Sequence, residues 1–437
     1  MAFSYDDAAH LLRRAGFGPT VSEINALVGL DRAAAVERIL DVSAAPPVLA
    51  PGGIGDPAVN NFDKWVSCTH WWIDRMRTTE APLAEKMTFF WHNHFATSLE
   101  KVEFMDLLWE QQQIFRTGAL GNFRDLTMAV STHPALLWYL DNTANTAAAP
   151  NENFARELME LFTLGVGNYS QADVIASARA WTGHGMVSYH DRRYQFDSAR
   201  HDYGSKTFLG GTRNWDGPDI INELLRDNSA AKALAARFIA RKLWSWFAFP
   251  DPSDAVIAPV ADAFLTSDLN VTAMLRAMFN HDAFYSPQAR MALVRTPVEY
   301  IVAALRSLGM DATTSHPVWY LEGMGMQPFM PPNVAGWKPN LNWVTSSAFW
   351  AKANFIQYSS WKAVTGSSST LADLDGRDTQ NAAQAAFDAF GISQPCPTSR
   401  STVVNWISKQ RATPFEGWVD RRYLISLVAL SPDFQLA

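Results

Sequence analysis

Apolar residues recur at helical spacing along most of the chain. The clearest case is NENFARELMELFTLGVGNYSQADVIASARAWTGH, residues 151–184. Phe154, Leu158, Leu161 and Phe162 fall at i, i+4, i+7 and i+8, one face of a helix. Asn151 is suited to cap that helix, and Gly165 and Gly167 to end it. At ~100° per residue, Glu157 lies on the shoulder of the apolar face and Glu160 just beyond it. Glu152 and Arg156, four apart on the outer side, are placed to pair. A carboxylate at the edge of a buried face costs free energy unless an arginine, an amide, a metal or a substrate answers it.

The same periodicity predicts helices elsewhere. Residues 5–40 form two short ones around the Gly16–Pro19 loop, and a Trp-rich helix covers 63–76. The stretch 83–95, LAEKMTFFWHNHF, is apolar most of the way round and is expected at the centre of the molecule. A helix running through both His92 and His94 would point them about 160° apart. Further helices occupy 101–140, interrupted at Gly118–Gly121 and at His133-Pro134, and residues 142–150 form a short linker. After His184 the period changes to alternation. VSYHDRRYQF predicts a small hairpin turning at Asp191-Arg192, followed by a loop through ARHDYGSKTFLGG.

Helices return at about 217–228, 230–248, 255–266, 271–281 and 295–308. GMQPFMPPNVAGWKPNLNW is a loop, and the last helical group is interrupted at 365–380 and around Cys396. The expected fold is therefore mainly α. It is a large multi-helical domain over 1–362 with one small β-hairpin excursion, an insertion at about 186–215, and a helical extension at 363–437 packed on the same body.

Composition narrows the partners. A net charge of −7 leaves no basic surplus to neutralise phosphates, so no nucleic-acid partner is expected. No apolar run is long enough to span a bilayer. The opening residues carry Asp6 and Asp7 and lack an apolar core, so they are no signal peptide. As written, the chain is expected in the cytoplasm, or in a secreted or envelope setting if a leader has been removed. Two cysteines, Cys68 and Cys396, make no disulfide framework, and whether they bridge stays open. Seventeen tryptophans are a large number; they serve as core filling or as flat platforms for sugar rings.

Several stretches together resemble a bacterial family known as domain-of-unknown-function family 1800 (DUF1800). They are HLLRRAGFGPT, EKMTFFWHNHFATS, the 151–184 stretch, HDYGSKTFLG, RFIARKLWSWF, RTPVEYIVAALRSLG and MGMQPFMPPNVAGW, in that order. Where relatives often read MGQP, this chain has Met324-Gly325-Met326-Gln327-Pro328. The resemblance names no reaction. It implies an envelope or secreted setting and a sulfatase-like partner protein, because many relatives carry export signals and are encoded beside such a protein.

Three chemistries fit the polar residues. In the first, the chain is a hydrolase-like enzyme acting on a carbohydrate or similar polyhydroxylated substrate, with no cofactor. Glycoside hydrolysis needs two carboxyl groups, about 5–5.5 Å apart for retention or 6.5–9.5 Å for inversion. Glu157 would be the acid/base, Glu160 or Asp202 the second carboxylate, and His201 an electrostatic support. Arg156, Glu152 and His184, with Trp181, Trp337 and Trp343, would bind substrate. The site would lie between the helices at 83–95 and 152–164, rimmed by 184–215 and 325–343. In the second, His92, His94, His184 or His201 joins a glutamate around a divalent metal that activates water. In the third, the charges are architectural and the protein is a scaffold or partner. There is no G-x-S-x-G, H-E-x-x-H or Walker motif, and a cysteine nucleophile is not favoured.

Overall fold

The computed structural model describes residues 3–365, 377–412 and 417–437. Most of the polar stretch expected at 365–380 lies outside the described residues. The protein is mainly α-helical, with two small antiparallel two-stranded sheets. Among the described residues no helix is long and apolar enough to cross a membrane.

The helix Pro82–His94 is the axis of the core. Proline at its first position fits the first turn, where no amide partner is lost. Leu83, Met87, Phe89 and Trp91 are fully buried, as an all-round apolar helix requires. Its polar residues are buried as well. Glu85 has no exposed surface, and Arg75 Nε at 2.5 Å, Arg116 Nε at 2.8 Å and Trp72 Nε1 at 2.9 Å all donate to its carboxylate. Arg116 and Arg75 hold that carboxylate below its ordinary range despite burial. The helix does run through both histidines, and they diverge. His92 Nε2 accepts from the Phe329 amide at 3.0 Å, while His94 Nε2 donates to the Phe162 carbonyl at 3.1 Å.

The central stretch follows its periodicity until mid-helix. Asn151 Oδ1 caps the Asn153 amide at 2.9 Å, and an α-helix covers Asn153–Glu157. Leu158–Thr163 is then π-helical: the Leu164 amide reaches back to the Met159 carbonyl, and Thr163 Oγ1 bonds the Leu158 carbonyl at 2.6 Å. Gly165 ends the run with φ of 82°, and a Cβ there would sit 2.9 Å from the Phe238 ring.

One hairpin pairs His184–Met186 with Tyr194–Phe196, joined by a loop over 187–193 wider than a turn at Asp191-Arg192. The segment expected to be a loop contains a second hairpin, Lys206–Phe208 with Gly211–Arg213. Leu209 and Gly210 both have positive φ, 46° and 85°, which is the tight turn whose twist matches a hairpin. The C-terminal residues close against earlier helices: Phe434 packs on Tyr300 at 5.5 Å, and the Ala437 amide bonds the Leu293 carbonyl at 2.8 Å.

Candidate functional site

The helix Gln171–Ala180 ends in the segment Trp181–His184, and the backbone there is clamped from an unexpected direction. Asn142 Nδ2 donates to the carbonyls of Trp181 at 3.0 Å and His184 at 2.8 Å. Asn145 Nδ2 bonds Asn142 Oδ1 and the Ala178 carbonyl, and its Oδ1 receives the Asn151 amide. Both asparagines are buried, so the expected linker is a polar strut. Gly183 turns the chain with φ of 81°, and a Cβ there would fall 2.5 Å from the Asp197 carbonyl. Gly217, opening the helix Gly217–Asn222, leaves room for the Trp181 ring; a Cβ there would lie 2.6 Å from it.

This scaffold brings Trp181, His184 and His201 together with three residues that sequence reasoning missed: Tyr194, Asp216 and Lys206. His184 is 2 % exposed, and its Nδ1 lies 2.7 Å from the Tyr194 hydroxyl. Its Nε2 faces Asp216 Oδ1 at 3.8 Å, too far for a direct hydrogen bond. Neither of those two atoms, nor Trp181 Nε1, has a hydrogen-bond partner among the described residues. Burial, then the neighbouring His201, push the His184 imidazole down to about 4, so it is neutral at pH 7. Burial, then Asp216, push the Tyr194 phenol up to about 12. Burial and Asp219 raise Asp216, against His201 and Lys206. His201 Nδ1 donates to the Thr182 carbonyl at 2.8 Å. Lys206 Nζ donates to Asn214 Oδ1 and to the carbonyls of Asp202 and Trp215.

Tyr194 also lines an open cleft of about 530 Å³. The cleft lies between the 187–193 loop, the start of the helix Met105–Thr117 and the start of the helix Pro134–Tyr139. Asp106, Glu110, His133, His190 and Arg192 bring both signs of charge to its wall. His133 Nδ1 caps the Ala135 amide at 3.2 Å, and its Nε2 faces Glu110 Oε2 at 3.7 Å. Lys64 Nζ bonds Asp106 Oδ1 at 2.7 Å.

The other expected site residues are distributed differently. Glu157 is half-buried; burial first and Glu160 second raise its carboxyl, against Arg156. Glu160 Oε2 accepts the Tyr169 hydroxyl at 2.5 Å. Glu152 and Arg156 pair at 2.9 Å as their spacing predicts, and both bond Gln171. Asp202 belongs to a separate cluster: Arg179 Nε, at 2.6 Å, keeps it ionised and below its ordinary range. Glu157 and Asp202 thus have different partners.

At the junction of the 83–95 and 152–164 helices, Lys242 Nζ bonds the Leu161 carbonyl at 3.2 Å. There His94 packs among Phe90, Phe95, Phe123 and Phe162. Trp181, Trp337 and Trp343 are 0, 5 and 6 % exposed, so they are core residues and not platforms for a sugar. Trp337 packs on His92, and Trp181 between Phe154 and His184. His92 and His94 do not converge, and among the described residues no three His, Cys, Asp or Glu side chains are grouped to hold a metal ion. Both cysteines are free; burial pushes the Cys68 thiol up to about 12.

Fold and site together define a large helical protein in which a hairpin borders an open polar cleft and sets Tyr194 between that cleft and the buried His184, which faces Asp216. The chain matches the model of a protein family of unknown function, DUF1800, over residues 10–436 and belongs to that family. No curated protein and no solved structure matches it.

Proposed function

We propose that the protein is a hydrolase-like enzyme acting on a carbohydrate or similar polyhydroxylated substrate bound in the cleft beneath the 187–193 loop. The observation that carries this reading is the double position of Tyr194. It lines the cleft, and its hydroxyl is bonded to His184, whose far nitrogen faces Asp216. With His184 neutral and its Nε2–H turned to Asp216, Nδ1 accepts the phenolic proton. The Tyr194 oxygen then faces the cleft as an acceptor for a substrate hydroxyl or the attacking water, which it orients. Asp216, facing Nε2, fixes the tautomer that leaves Nδ1 to accept. Glu110 and Asp106 supply the acceptors that a hydroxyl-rich ligand needs, and Glu110 is the candidate acid/base group in the cleft.

A second location for the same chemistry is the Glu157/Glu160 pair. Glu157 is raised by burial and by Glu160, and Glu160 is held by Tyr169, so the two carboxyls sit in unlike environments suited to acid and base. One experiment separates the two. Oligosaccharides and polysaccharides are screened for release of reducing ends by the wild-type protein, Tyr194→Phe and Glu157→Gln. The cleft reading expects Tyr194→Phe to lose about 10²–10⁴-fold in turnover while Glu157→Gln keeps it. The reverse pattern moves the chemistry to the glutamates. Absence of turnover on every glycan by wild-type protein removes the carbohydrate hydrolase.

A further inference from the structure

The helix Tyr5–Ala15 carries Arg14 into the interior, with Arg13 half-buried beside it. Arg14 is 2 % exposed. Its Nη2 donates to the Ala289 carbonyl at 2.6 Å, but Nε and Nη1 have no partner among the described residues. Buried guanidinium N–H groups without an acceptor are costly, because each has given up water. Arg14 lines a small cavity of about 30 Å³, with Arg13, Lys86, Thr296, Glu299 and Trp246 also in its wall. Such a volume holds one or two water-sized particles, too few for an organic substrate.

Arg13, Arg14 and Lys86 face Glu299, the one acidic side chain among the described residues of the lining. Glu299 is itself engaged: Lys86 Nζ is bonded to it and also reaches the Gly16 carbonyl at 3.2 Å. Arg13 donates to the Gly391 carbonyl at 3.1 Å, with Asp6 and Asp433 acting on it from beyond the cavity. Arg295, 4 % exposed, adds a fourth positive charge behind the wall, and its Nη1 is also unpartnered. Burial pushes Arg14 and Arg295 down to about 9, which leaves both charged at neutral pH. Arg13 is thus answered from outside the cavity, while Arg14 and Arg295 are buried with guanidinium N–H groups that no acceptor meets, and a buried charge without a counter-charge is strongly destabilising.

We propose that the cavity beside Arg14 binds a single small inorganic anion, which accepts from Arg14 Nε or Nη1 beside Lys86. This site is independent of the cleft and of the reaction proposed for it. The ligand class is a halide or a tetrahedral oxyanion, since either presents lone pairs on all sides within the space of a few water molecules.

The test uses the full chain in chloride-free gluconate buffer at constant ionic strength, with melting followed as chloride, phosphate or sulfate replaces gluconate. A saturable rise in Tm of about 2 °C or more is expected for at least one of these anions. The anion that saturates at the lowest concentration identifies the occupant. Arg14→Lys keeps the charge but lacks the guanidinium donors, and is expected to raise the half-saturating concentration tenfold or more. Arg14→Met is expected to abolish the rise; if it does not fold, Arg14→Lys carries the comparison. A crystal grown in bromide is expected to show an anomalous peak within hydrogen-bond distance of Arg14. A rise that never saturates, or one identical in wild type and Arg14→Lys, overturns the proposal in favour of a water-filled cavity.

Discussion

Glu85 and His184 are both buried polar side chains beside tryptophans, yet their surroundings differ in kind. Around Glu85 every polar demand is met: Arg75, Arg116 and Trp72 converge on one carboxylate, and Arg116 grips both of its oxygens. Around His184 the demands are half met. Tyr194 answers one ring nitrogen, while the other, together with Asp216 Oδ1 and Trp181 Nε1, has no partner among the described residues. The first arrangement is closed, with nothing left to offer a ligand. The second is open at one end to a cleft and holds donors and acceptors in reserve. Completeness of hydrogen bonding, more than burial or charge, separates a structural polar cluster from a candidate reactive one.

Breaking the closed cluster should have the largest effect on stability. Glu85→Gln leaves two buried guanidinium groups without their counter-charge and is expected to cost about 3–5 kcal/mol, measured by denaturant unfolding. The pH dependence has a definite sign. Glu85 is lowered in the folded state, so its contribution is full above the ordinary glutamate range near 4.5 and is lost as pH falls through the folded value. Glu85→Gln should therefore flatten the acid limb of the stability curve. An unchanged acid limb would show that the carboxylate is not ionised in the fold.

An intermediate effect is expected at the seam of the open cluster. Gly217→Ala places a methyl group 2.6 Å from the Trp181 ring and must displace that ring, which packs against Phe154 and His184. The cost is about 1–3 kcal/mol, with changed Trp fluorescence. Unaltered stability and spectrum would mean that Trp181 is not held against Gly217.

The smallest effect is expected at Glu157, raised in the folded state. There the folded protein favours the protonated form, so a penalty develops as pH rises past the ordinary glutamate value. Glu157→Gln should raise stability by about 0.5 kcal/mol at pH 7 and by nothing at pH 4. Lower stability at pH 7 would point to a cation that answers the carboxylate.

These contrasts also mark how far the chain could be read without coordinates. Helices were legible wherever one face repeats, as at Phe154, Leu158 and Phe162, and the stop at Gly165 followed from its conformational freedom. The π-helical turn after Glu157 was not legible, because it arises from packing that no local period records. Trp181, His184 and His201 stood out by residue type. Tyr194 and Asp216, their partners, did not, since a three-residue strand pair and a helix cap bring them together. Asn142 and Asn145 read as linker because a buried clamp and a solvated loop use the same residue types. The tryptophans expected to stack on a substrate were misjudged for the related reason that Trp fills cores and lines sites alike. The clamp on Glu85 was not legible, because one of its arginines lies 31 residues away.

The most direct measurement is turnover and melting of Tyr194→Phe set beside Glu85→Gln in the same preparation. The open-cluster account predicts that Tyr194→Phe melts within about 1 °C of wild type and loses at least about 100-fold in turnover. Glu85→Gln should melt far lower, yet keep wild-type turnover per folded molecule. Full activity in a well-folded Tyr194→Phe protein would contradict the account, and the cleft would no longer be the place where chemistry occurs.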